Sequence, residues 1–184
     1  MKSLLRIIPV LLATLSFATP TVRLELPKQL QKNVIPNFVA RDRNADAPFN
    51  LGSLRRSVKP ETERVVIAYF ATWCKPCREG ITSLSKNSQQ LEENNIQVIL
   101  VNVGESDVAS VHKWVREYGN SDWLLIMDTR QQLVKPFGLL KPGEQTIVLP
   151  LTLILDNKLK PIGLLGTEGD DWPALLWQEE NFNP

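Results

Sequence analysis

The run Val65-Val66-Ile67-Ala68-Tyr69-Phe70-Ala71 is apolar at every position, and Trp73-Cys74-Lys75-Pro76-Cys77 follows after a single threonine. A strand with no polar alternation is buried on both faces, which implies a parallel portion of sheet covered by helices. From Pro76 to about Asn94 the apolar residues Ile81, Leu84 and Leu91 recur at helical spacing. Pro76 fits the first turn of that helix, where a missing N–H leaves nothing unsatisfied. The cysteine pair therefore stands where a buried strand gives way to a helix, a far more specific signal than the pair alone.

The rest of the chain continues the alternation. Ile96 to Val103 reads as a second buried strand, Asp107 to Tyr118 as a helix with Val108, Val111, Val115 and Tyr118 on one stripe, and Leu124 to Met127 as a third strand. A short helical piece is expected near Gln131 to Phe137. Two more strands, Leu151 to Leu155 and Ile162 to Leu165, flank an Asp156-Asn157 turn, and Asp171 to Glu180 closes the chain as a helix with Asp171 as N-cap and Pro173 in the first turn. Upstream, Phe38 to Arg41 and Phe49 to Leu51 flank a stretch rich in Asn, Asp and Ala and predict a short hairpin. Arg55 to Arg64 reads as a charged connection. The fold class is α/β, with a central mixed sheet flanked by helices and an N-terminal hairpin extension.

With 184 residues, 43% hydrophobic and 22% charged, the chain suits one packed domain and a targeting segment. A net charge of +1 offers no broad basic surface, so no nucleic-acid partner is expected. Lys2 and Arg6 precede an apolar run from Ile7 to Ala18, with Ser16 and Ala18 three and one positions before a cut after Ala18. This pattern predicts a signal peptide over residues 1–18, a loosely held lead-in over 19–35 and one domain over 36–184. The run is too short for a comfortable transmembrane helix, so no stable span is expected after processing. An uncleaved anchor and a buried N-terminal helix are the alternatives for this segment. Export, to a periplasm or beyond, places a cysteine pair where disulfides form and persist.

The chain has two cysteines and one histidine, His112, which is a poor supply for a metal centre or a disulfide scaffold; no metal or cofactor is expected. At a helix start Cys74 meets unpaired N–H groups and a partial positive charge, which favour its thiolate; Lys75 adds to that field. Cys77, one turn on, can close a small ring with it. Cys74 is thus the candidate attacking thiol and Cys77 the candidate resolving thiol. A purely structural disulfide and half of a zinc site shared with another chain are the bland alternatives. His112 reads as a surface or boundary residue, and Trp172 and Trp177 as packing groups of the last helix.

Tyr69-Phe70-Ala71-Thr72-Trp73-Cys74-Lys75-Pro76-Cys77-Arg78 resembles the active-site signature of the thioredoxin superfamily, and more closely that of its exported TlpA/ResA-like branch. Ile35-Pro36-Asn37-Phe38 is similar to the branch's Pro-x-Phe opening, and Leu149-Pro150-Leu151-Thr152-Leu153-Ile154-Leu155-Asp156 to the segment that carries the superfamily's cis-proline. The resemblance implies a thioredoxin fold, a cis Leu149–Pro150 bond against the cysteine pair, and a substrate site formed by Trp73, Pro76, Leu149 and Pro150. It also implies reductive action on protein disulfides, apocytochromes c among them, and an upstream electron donor. The chain departs from the pattern in three places. Ala68 occupies the position of the buried Asp of thioredoxins, Gly80 that of the branch's Glu after the second cysteine, with Glu79 one place earlier, and Thr82 that of a helix-kinking Pro. The segment Leu139 to Leu149 is longer than the fold requires and is expected to border the site. A thiol peroxidase using Thr72, a copper-carrying protein and a non-catalytic interaction module are the competing functional readings.

Overall fold

The computed structural model describes residues 21–32, 34–42, 47–166, 172–177 and 182. The signal-peptide expectation, the Asp171 cap and the last residues of the expected closing helix lie outside them. In chain order the elements are β1 (Arg23–Leu24), α1 (Lys28–Gln31), β2 (Val39–Asp42), β3 (Ala47–Asn50), α2 (Leu51–Ser57), β4 (Arg64–Phe70), α3 (Lys75–Lys86), α4 (Ser88–Glu93), β5 (Ile96–Val103), α5 (Val108–Tyr118), β6 (Leu124–Asp128), β7 (Leu151–Asp156), β8 (Pro161–Leu165) and α6 (Trp172–Leu175). The strands form one sheet in the order β1-β8-β7-β4-β5-β6-β2-β3.

The centre of the sheet is the apolar run read from the sequence. β4 pairs in parallel with β5, and β5 with β6, while β7 lies antiparallel to β4 on its other side. Alternate residues face opposite layers, as the pleat requires. Val65, Ile67 and Tyr69 enter one core with Phe38, Phe49, Leu54 and Phe137. Val66, Ala68 and Phe70 enter the other with Ile81 and Leu84 of α3, Val111, Trp114 and Val115 of α5, and Trp172. Phe70 and Trp114 stack with ring centroids 4.8 Å apart. The mixed sheet with helices on its faces is the expected thioredoxin fold, and β2–β3 is the expected hairpin, joined antiparallel to β6.

Four local expectations are corrected. The lead-in is not loose: β1 pairs with β8, the Gly166 N–H donates to the Val22 carbonyl at 2.7 Å, and Leu30 and Ile35 are buried. A two-residue strand has no periodicity to betray it. The connection after the hairpin contains α2, capped by Asn50, whose Oδ1 accepts the Ser53 N–H at 3.0 Å; Gly52, a poor helix former, obscures it. The expected helix from Pro76 to Asn94 divides at Asn87, whose side-chain amide donates to the Ser83 carbonyl at 2.8 Å and competes with the backbone ladder. Residues 132–138 form successive turns rather than a helix, anchored by Asp128, which accepts the N–H groups of Gln132 (2.6 Å) and Leu133 (2.8 Å).

Candidate active site

Cys74 is the N-cap of α3. Its N–H donates to the Ala71 carbonyl at 3.0 Å, closing the turn that leaves β4, and its Sγ accepts the Cys77 N–H at 3.2 Å. The two cysteines are joined in a disulfide with a Cα–Cα separation of 5.3 Å. Cys74 is 5% exposed and Cys77 1%, so both are buried and Cys74 is the less so, while Trp73 in the turn is 75% exposed. Pro76 lies in the first turn of α3 and is exposed.

The Leu149–Pro150 bond is cis. In the β4–β7 register Tyr69 faces Leu151, which sets Leu149 and Pro150 just beyond the end of that ladder, at the end of β4 from which the chain turns toward Cys74. Pro150 is buried, and Leu149 packs against both cores. On the β1–β8 side of Pro150 runs an apolar groove of about 450 Å³ whose walls include Val22, Leu24, Leu139, Pro142, Val148 and Leu149. The long segment before Leu149 supplies one wall of it, so that segment borders the cis-proline; the cysteines are not among its walls.

The carboxylates fall differently from the family pattern. Ala68 is buried between Leu100 and Thr152 in the sheet, so β4 places no acid under the cysteines. Glu79 points to solvent and pairs with Lys75 at 3.7 Å. The acid that does reach the turn is Glu105, which reading the sequence did not single out. Its Oε2 accepts the Thr72 N–H at 2.8 Å and the Asn102 Nδ2 at 2.5 Å, and its Oε1 accepts the Thr72 hydroxyl at 2.5 Å. The available signal was Gly104-Glu105 directly after a buried strand, at the strand end where α/β sheets gather their sites. Gly104 has φ +80°, which suits it to this turn.

Of the remaining candidates, Arg78 lies over the Tyr118 ring at 5.4 Å and His112 Nδ1 is 3.1 Å from Arg116. Thr72 gives its hydroxyl to Glu105. Trp172 is wholly buried and Trp177 packs on the same core.

The sequence pattern of the AhpC/TSA family matches residues 32–160. The chain belongs to this family. Within it, the chain is similar to the thiol-disulfide oxidoreductase ResA of Bacillus subtilis (strain 168), with 28% identity over 102 residues, 55% of this chain and 52% of ResA. It thus spans about half the length of the curated relatives it matches. A thiol:disulfide interchange protein of the thioredoxin family from Chlorobium tepidum TLS superposes with a TM-score of 0.56 at 21% identity, covering 77% of this chain and 91% of that one. A secreted disulfide oxidoreductase of Mycobacterium tuberculosis, homologous to E. coli DsbE, gives 0.51 at 17% identity, covering 76% and 85%. At these identities the solved structures establish the thioredoxin fold, and with the ResA relatives they bear out the resemblance to the TlpA/ResA-like branch.

Proposed function

We propose that this protein is an exported thiol–disulfide oxidoreductase that reduces disulfides of other exported proteins through Cys74 and Cys77. The observation that carries the reading is Cys74 as the cap of α3, its sulfur accepting the Cys77 N–H while Cys77 lies buried beside it. In the dithiol form, that N–H and the positive end of the helix favour a thiolate at Cys74. The thiolate attacks one sulfur of the client disulfide, the client S–S bond breaks, and the departing sulfur takes up a proton. Cys77 then gives up its proton and attacks the Cys74 sulfur of the mixed disulfide, releasing the second client thiol and leaving the Cys74–Cys77 disulfide. Two electrons pass to the client, and an upstream dithiol donor must return them.

Trp73, Pro76, Leu149 and Pro150 form the client site in this reading. Leu149 lies two residues before the first ladder residue of β7, outside the β4–β7 pairing, which suits its backbone to an extended client segment. The reductive direction and apocytochrome c as one client class rest on the likeness to the ResA proteins. Export rests on the Lys2/Arg6 start, the Ile7–Ala18 run and the secreted structural neighbour. Insulin-disulfide reduction with dithiothreitol tests the chemistry: turnover is expected from the unaltered protein and from neither Cys74→Ala nor Cys77→Ala. An unaltered protein no faster than dithiothreitol alone refutes the proposal.

A further inference from the structure

The family's carboxylate positions near the cysteines are empty of acid in this chain, yet a carboxylate is hydrogen-bonded into the turn that delivers Cys74. We infer that Glu105 is a positioning residue: it clamps the Ala71–Cys74 turn, and its negative charge restrains thiolate formation at Cys74, which keeps the cysteine pair reducing. The inference rests on the oxidoreductase reading of that pair.

The clamp is built from both sides. Toward the site, both carboxylate oxygens hold Thr72, one through the amide and one through the hydroxyl. Thr72 and Trp73 are the two central residues of the turn closed by the Cys74 N–H and the Ala71 carbonyl. Fixing Thr72 therefore fixes the direction in which Trp73 projects and in which Cys74 enters α3. Toward the sheet, Glu105 is held by the Asn102 side chain on β5, which stands beside Phe70 in register and is fully buried. The Thr129 hydroxyl donates to the Glu105 carbonyl at 3.0 Å and ties the same residue to the end of β6. The turn is thus keyed to the centre of the sheet.

The charge has a separate effect. A carboxylate held on the turn that ends in Cys74 disfavours a thiolate there, and a less stable thiolate makes the dithiol form easier to oxidise. Four other charged groups on the neighbouring elements are engaged elsewhere. Lys75 and Glu79 pair with each other on the exposed side of α3, Arg78 lies over Tyr118, and Asp107 caps α5 by accepting from Ser110. Among the described residues, Glu105 is the charged side chain whose hydrogen bonds reach the turn before Cys74.

Two substitutions in the full chain separate the effects. Glu105→Gln removes the charge and keeps an acceptor for Thr72. The Cys74–Cys77 equilibrium against glutathione should move toward the dithiol by about three- to tenfold, about 14 to 30 mV upward, and iodoacetamide should alkylate Cys74 faster at pH 6.5. Thr72→Val keeps the charge and breaks one arm of the clamp. It should slow mixed-disulfide formation by about threefold or more, and Thr72→Ser should restore the rate. Unchanged equilibrium and alkylation in Glu105→Gln, within about twofold, overturn the electrostatic role whether or not melting shifts. Equal rates in Thr72→Val and Thr72→Ser overturn the clamp. The glutathione equilibrium needs no client, so a protein inactive on insulin would refute the function above and still leave Glu105 to be judged.

Discussion

At the scale of single residues, the two cysteines are distinguished by their surroundings rather than by their spacing. Cys77→Ala should accumulate mixed disulfides through Cys74, whereas Cys74→Ala should accumulate almost none; non-reducing gels with peptide mass mapping read this directly. Equal trapping by both variants would overturn the roles proposed above, and stronger trapping by Cys74→Ala would reverse them. A second residue-scale prediction concerns Tyr69, whose hydroxyl donates to the Leu133 carbonyl at 3.0 Å from within the core. Burial, and then the negative charge of Asp128, hold the Tyr69 phenol well above its ordinary value of 10.0. The folded state therefore keeps this proton at a pH where the unfolded chain releases it. The stability it contributes is complete below pH 10 and is lost as pH rises from there toward the folded value. Tyr69→Phe should lower stability by about 1 kcal/mol at pH 8 and flatten the decline above pH 10, both measurable as urea midpoints. An equally steep alkaline decline in the variant would show that another group carries it.

At the scale of elements, strong patterns were legible and weak ones were not. β5 spans Ile96–Val103 as read from its apolar run, and α5 begins after Asp107, the acid that precedes its apolar stripe. Both carry signals that neighbours reinforce: burial on two faces in one, a cap and a 3.6-residue period in the other. α2 escaped notice because its signal is a lone Asn50 cap with a glycine at the second helical position. If that cap holds the element, Asn50→Ala should lower stability by about 1 kcal/mol, and Asn50→Asp should recover most of it, in thermal or urea unfolding. No difference between the two variants would mean that α2 is held by the packing of Leu54 alone. The break at Asn87 escaped notice for a related reason, since a side chain that takes a backbone carbonyl leaves the apolar spacing around it intact.

At the scale of the whole molecule, the N-terminal segment is the main revision. Residues 21–32 and 34–35 supply an edge strand, a short helix and the core side chains Leu30 and Ile35, and Val22, Leu24 and Pro27 line the apolar groove beside Pro150. Leu30 is wholly buried among Ile35, Phe137 and their neighbours. Leu30→Ala should therefore lower stability by about 2–5 kcal/mol, as for a central core leucine, in urea unfolding followed by tryptophan fluorescence. A loss below about 0.5 kcal/mol would show that the segment is the loose lead-in its sequence suggests.

The sequence alone determined the alternation of buried strands and amphipathic helices, the strand-to-helix position of Cys74 and Cys77, and the hairpin before them. Each of these is written in a local period or a contiguous motif, and local sterics and burial enforce it. The proline at position 150 was legible only through the resemblance. Tertiary structure decided what depends on residues far apart in the chain: β1 closing on β8, the groove shared by the first and last strands, and Glu105 reaching from the end of β5 to Thr72. A carboxylate 33 residues from its partner leaves no period and no spacing in the sequence. Only the parallel pairing of β4 with β5, which sets Phe70 beside Asn102, brings the two loops together and makes the contact.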